Sequence, residues 1–454
     1  MGELKSSTDI GEEGSVPLDQ RHPDTLWVTR RLQLHLDAVR EILRDFMPHV
    51  REIDEKHLSV DALFSLKDLS PSRRDQVRAF MDRRIADARA GDPPQLGDGE
   101  STGEEQDSDG STVSISMTLG EIEEVTGDRH FAGRFIEEFE KSLQGPLRVT
   151  ILHNSLLAMA VGAFEVLVSG IATRFYIAHP DALDSDEKTF SFAELRAFGD
   201  VNDAADEMIS RRIADLMYGG LGTWADWFDK NCDARLSEIA MDFDSVEEAF
   251  QRRHAVLHNG GLASRQYLRH VPGSSVEVGD RLPVDASYLD AVFDELDVLG
   301  TSLGVLADGT WRPAGRDGAA GILLRRSYEL MVEERWAAAG ALARLGRRLT
   351  CEAATKTSLQ CNEWLCRAEQ GGYDSIQDEV EADFDASNMS GRFKLVRSVL
   401  VGKVDEAIAA VPEAIETKEI SRGELEAWPI FRRVREHSDY PVVLSKLDAA
   451  DGSD

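Results

Sequence analysis

Cysteine is scarce in this chain: Cys232, Cys351, Cys361 and Cys366 are the only four among 454 residues. They form no paired CxxC knuckles and have no His at zinc-ligand spacing, which excludes a recognisable zinc cluster and favours buried thiols in a reducing compartment. An uninterrupted run of about 18 apolar residues is also missing, so no membrane span is expected. Residues 1–6 carry no apolar signal-peptide core. These absences lead to the expectation of a cytoplasmic protein with no metal, no cofactor and no membrane partner. Positive charge is in deficit as well: 51 Lys and Arg against 83 Asp and Glu leave a net charge of -32. Such a chain repels a nucleic-acid backbone at long range, which excludes a general DNA-coating protein.

The most informative absence is local. Residues 249–276 contain no Asp or Glu, although acids abound elsewhere, and they gather Arg252, Arg253, His254, His258, Arg265, Arg269 and His270. Arg253-His254-Ala255-Val256-Leu257-His258 puts an always-charged guanidinium near imidazoles that move protons around neutral pH, a pairing suited to phosphodiester chemistry. At about 100° per residue, His254 and His258 share one helix face, whereas Arg253 and His258 diverge by about 140°. Arg253 must then reach round, or a second copy of the helix must complete the site. Asn259-Gly260-Gly261 reads as a helix stop, since Gly accepts left-handed backbone without Cβ cost. A purely structural reading also exists, because Arg and His in a last helical turn offset the helix macrodipole.

These residues carry a resemblance. Residues 151–288 resemble a HEPN domain, a helical module whose signature is Arg, four to six residues, then His, with Asn, Asp or His commonly following the Arg. Here Arg253 is followed by His254, and His258 lies at the shortest permitted spacing. The apolar segment 156–167, with Glu165 directly after Phe164, is similar to the first long HEPN helix. The resemblance implies a metal-independent endoribonuclease, acting in defence or stress, with RNA as substrate. It implies Arg253 and His258 as catalytic residues, with Arg253 on the scissile phosphate and His258 exchanging the proton. His254 would orient the substrate, Arg252 and Arg265 would hold flanking phosphates, Asn259 would support the site, and Glu165 would hold Arg253. It further implies a homodimer in which two such helices face each other. The alternative is a non-catalytic scaffold that dimerises and recruits a partner through helical repeats.

Along the chain, hydrophobic periodicity predicts an all-α protein: a HEPN-like helical bundle with N-terminal helices and a C-terminal helical-repeat domain. The expected organisation is a tail and helices over 1–90, an acidic disordered linker over 91–113, a HEPN-like domain over 114–306, and tetratricopeptide-like repeats over 322–440. Helices are expected near 25–57, 72–90, 131–143, 147–179, 203–217, 246–258 and 288–303. Ser191 with Glu194, and Ser421 with Glu424, have the spacing of capping boxes. Residues 224–228 form an aromatic packing hub. Residues 275–278 and 281–284 form a small hairpin or an ordered loop. Gly- and Ala-rich residues 304–321 separate the central domain from the tail. Within the tail, 365–374 overlays 396–405 at an offset of 31, close to the period of helical hairpins that stack to bury a shared face. That region would bind a protein partner or sense a trigger.

Overall fold

The computed structural model describes residues 18–58, 66, 69–89, 100–106, 112–144, 147–183 and 190–451. The fold is all-α, as the periodicity predicts. Helices Thr25–Leu58, Pro71–Arg89, Arg129–Gln144, Arg148–Ala178, Val201–Tyr218, Phe243–His258 and Ala286–Trp311 stand where apolar spacing placed them. Both capping boxes form: Ser191 opens Phe192–Ala197 and Ser421 opens Arg422–Ala427, each hydroxyl accepting from the backbone of the Glu three residues on.

The chain folds as two compact units. One comprises residues 1–36, 161–250 and 292–454; the other comprises 37–160 and 251–291. The first unit is organised by close helix approach and by one buried charge. Gly300 and Gly304, one turn apart on Ala286–Trp311, leave no room for a Cβ: at Gly300 it would strike Leu32, and at Gly304 it would strike Thr29. Gly170 on Arg148–Ala178 comes less close to Val28, where a Cβ would stand 2.9 Å from the Val side chain. Beside this contact Asp297 is fully buried, and Arg326 neutralises it with Nη2 at 2.5 Å and Nε at 3.2 Å from the carboxylate oxygens. Thr301 donates to the same carboxylate, and Gln33 donates to Thr301, so three helices share one polar network.

Further along this unit two helical hairpins form, Trp336–Arg348 with Ala353–Gly371 and Gly391–Leu400 with Val404–Glu416. Left-handed backbone at Gly372 (φ 84°) and Gly402 (φ 77°) ends the first helix of each matched stretch. The core between them holds Trp364, Leu365, Phe384, Val396 and Val399. Cys232, Cys361 and Cys366 are buried, and burial pushes each thiol up to about 12, so none is a nucleophile near neutral pH. Trp224 and Phe228 are buried as the packing hub, with Trp224 Nε1 donating to the Leu216 carbonyl at 3.0 Å.

In the second unit Phe131, Phe135 and Phe139 pack with Val77, Met81 and Ile122. Glu100–Gln106 pairs antiparallel with Thr112–Thr118, Glu100 opposite Thr118.

Two expectations need correction. Glu100–Gln106, assigned to the acidic linker, is a strand, because backbone pairing does not require the apolar alternation it lacks; 91–99 and 107–111 lie outside the described residues. Residues 304–321 are no spacer. Ala286–Trp311 continues through them and Pro313–Val332 begins two residues later, and Gly304 serves close helix contact instead of chain flexibility. Of the two alternatives for 275–278 and 281–284 the ordered loop is the one present, with Arg281 making an isolated antiparallel bridge with Leu262. Among the described residues Arg148–Ala178 is long and apolar enough to cross a membrane by length and composition, a test that core helices also pass, and half of its most apolar window is buried inside the protein.

The glycine contact generates a test. Gly304→Ala is expected to destabilise the protein by about 1–3 kcal/mol through overpacking, and Thr29→Ala in the same chain to recover part of that loss because the two side chains compete for one space. Urea unfolding of the two single variants and the double variant measures it. Simple additivity would show that this approach is looser than described.

Candidate functional site

The acid-free segment builds a cavity at the end of Phe243–His258, within the second unit. The helix stops because Gly260 and Gly261 adopt φ of 62° and 78°. That turn lets the Gly261 N–H fold back onto the Ala255 carbonyl at 3.0 Å, while Asn259 Nδ2 donates to the Leu262 carbonyl at 2.7 Å. The reversed chain is then fastened to a later segment: Ala263 N–H to the Asp280 carbonyl (2.8 Å), Gly279 N–H to the Ala263 carbonyl (2.9 Å) and Leu282 N–H to the Gly261 carbonyl (2.8 Å). Buried Ala255, Ala263, Tyr267 and Leu282 form the small core beneath it. Ser264 caps the following short helix, Arg265–His270, its hydroxyl accepting from the Tyr267 N–H.

Between the two helices lies a cavity of about 210 Å³ lined by Gln251, His254, Ala255, His258, Asn259, Ser264, Gln266 and Tyr267. No carboxylate lines it. The His254 and His258 rings are 4.7 Å apart, centroid to centroid, tilted by 48°. Partial desolvation, then the charges of His258 and Arg253, hold the His254 imidazole below its usual range, so it is neutral at neutral pH. Two imidazoles stand side by side, ringed by amides and hydroxyls, and an imidazole is a group that can exchange protons around neutral pH.

His254, His258 and Asn259 line the cavity together. Arg253 is half-buried and does not line it, in keeping with the divergence computed from helical geometry. Arg252 is engaged elsewhere: its guanidinium lies over the Tyr288 ring at 4.2 Å and donates to the Pro283 carbonyl, a contact that holds the helix to the chain beyond it. Arg265 is exposed at the start of the next helix, with no side-chain partner among the described residues. Glu165 stands half-buried on Arg148–Ala178 in the first unit. Sequence reasoning missed Gln251, Ser264, Gln266 and Tyr267. Gln251 was findable, lying three residues before His254 and seven before His258 on the same face. The other three depend on the chain reversal at Gly260 and Gly261. Among the described residues no cluster of three or more His, Cys, Asp or Glu side chains is arranged to hold a metal ion.

Comparison with family models, with curated proteins and with solved structures returned no match to this chain.

The electrostatics of the pair can be measured directly. A proton-detected titration of the His254 ring is expected to give a midpoint below the usual imidazole range. In His258→Ala the midpoint should rise, because removing a neighbouring positive charge favours the protonated form, yet stay low while desolvation persists. A midpoint that does not move would show that the two rings are not electrostatically coupled.

Proposed function

We propose that this protein is a metal-independent endoribonuclease of HEPN type, acting in defence or stress, with His254, His258 and Arg253 carrying the chemistry. The observation that carries this reading is the pair of imidazoles sharing one carboxylate-free cavity at the end of the acid-free segment. In a chain of net charge -32, a cavity without carboxylates is a place where a phosphodiester meets no local repulsion.

The reaction is an internal transfer. The ribose 2′-oxygen forms a bond to phosphorus while the bond from phosphorus to the 5′-oxygen of the next nucleotide breaks. His254, neutral because its proton affinity is lowered, takes the 2′-hydroxyl proton, and His258 gives a proton to the departing 5′-oxygen. Arg253 places fixed positive charge on the phosphate oxygens as negative charge builds there. The products are a 2′,3′-cyclic phosphate and a 5′-hydroxyl. Arg265 receives a flanking phosphate at the rim. Arg252, held on Tyr288, orients the helix. Because Arg253 leaves the face shared by His254 and His258, the proposed active form is a homodimer in which a facing copy supplies the guanidinium. Residues 322–440 are proposed to receive a protein partner or trigger.

His258→Ala and Arg253→Ala are each expected to lower cleavage of total RNA and transfer RNA by about 100-fold or more, with little change in melting temperature. Arg252→Ala should do the reverse, lowering melting temperature while sparing most of the rate. Full cleavage by both of the first two variants would sink the assignment.

A further inference from the structure

A second cavity, of about 560 Å³, lies in the first unit among the helical hairpins, far along the sequence from the His pair. Its walls come from Pro313–Val332, Ala353–Gly371, the start of Gly391–Leu400, and the Arg422–Ala427 helix with Trp428. The volume is that of a small-molecule site, apolar with a few placed polar groups.

The polar groups are graded by depth. At the bottom is Asn362, 1% exposed, whose Oδ1 is buried and has no hydrogen-bond partner. A buried amide oxygen without a donor is costly, and this one belongs to a residue that lines the cavity, so a ligand that brings a donor to Asn362 relieves that cost. Midway stands Glu424, its carboxylate fixed by the Ser421 N–H and hydroxyl and by Arg392 Nη1 at 3.0 Å. Arg392 in turn lies over the Trp428 ring at 4.7 Å, a stacked pair that stiffens one wall. At the rim Arg325 is exposed and has no partner among the described residues. The side chains of Leu324, Tyr328 and Trp428 supply flat apolar surface between these groups, and Tyr328 is fixed by its hydroxyl donating to the Ala427 carbonyl.

We propose that this cavity binds an adenine nucleotide, base inward at Asn362 and phosphate outward at Arg325. An Asn amide sets an acceptor beside a donor, the pattern that an adenine edge complements with N6–H and N7. Tyr328 and Trp428 give the purine ring aromatic neighbours. A carboxylate at mid-depth accepts from a ribose hydroxyl, as acids do in other nucleotide sites. An unpaired guanidinium at the mouth matches a phosphate. Guanine presents an acceptor, O6, where adenine presents N6–H, and so leaves Asn362 Oδ1 unsatisfied.

The test is calorimetric titration of the full-length protein with AMP, GMP, adenosine and inorganic phosphate, which needs no RNA cleavage and therefore stands or falls apart from the His254 reading. AMP is expected to bind saturably, and GMP at least about tenfold more weakly. Asn362→Leu should lose at least about tenfold in AMP affinity while its melting temperature without ligand holds or rises, since an unsatisfied amide is removed. Arg325→Ala should weaken AMP but leave adenosine unchanged. Absence of saturable AMP binding at millimolar concentration would overturn the proposal, as would equal binding of AMP and inorganic phosphate, or unaltered AMP affinity in a folded Asn362→Leu protein.

Discussion

Asp297 is a carboxylate with no access to water, and much of the first unit is arranged to tolerate it. Leaving a charge alone in the interior costs several kcal/mol, and here Arg326 meets both oxygens while Thr301 adds a donor. Because Gln33 reaches the same Thr, the network ties Thr25–Leu58, Ala286–Trp311 and Pro313–Val332 together. The glycines at 300 and 304 let the first two of these helices come close enough for Gln33 to reach. Fixing Arg326 inward also fixes its neighbour Arg325 outward at the rim of the larger cavity. A buried ion pair is weak evidence for stability by itself; its stronger consequence is that helix register is defined, since sliding any of the three would strand a charge.

The second unit solves a different problem, that of bringing two basic side chains together without neutralising them. Elsewhere in this acidic chain Arg and His meet carboxylates, as Arg21 does with Asp203 and His437 with Asp405. Residues 249–276 themselves contain no Asp or Glu, and no carboxylate lines the cavity that holds His254 and His258. The helix face does the rest, setting His254 and His258 one turn apart, and left-handed backbone at Gly260 and Gly261 brings Ser264 to Tyr267 round to close the cavity. Charge depletion is thus legible at the level of composition, while the cavity itself depends on the left-handed backbone at Gly260 and Gly261.

What was legible followed from period and capping chemistry. Long helices with apolar stripes, such as Thr25–Leu58, and the boxes at Ser191 and Ser421 depend on contacts within a few residues, so the sequence displays them. The shared face of His254 and His258 and the divergence of Arg253 were readable for the same reason. Residues 304–321 were misjudged because composition does not distinguish a glycine that frees the chain from one that admits a neighbouring helix, and the neighbour here is Thr29, far away in sequence. The strand at Glu100–Gln106 is held by backbone pairing, which leaves little trace in side chains. Asn362 was invisible as a site residue, since its burial is created by helices drawn from four separate segments.

Metal-free acid-base chemistry on RNA by the paired imidazoles of the acid-free segment, as proposed, would leave its signature on the ends of the products. Full-length protein incubated with transfer RNA in excess chelator, with the fragments resolved by end-group chemistry, is predicted to yield 2′,3′-cyclic phosphate and 5′-hydroxyl termini. Fragments ending in a 3′-hydroxyl and a 5′-phosphate, or cleavage that appears only when magnesium is restored, would contradict the account.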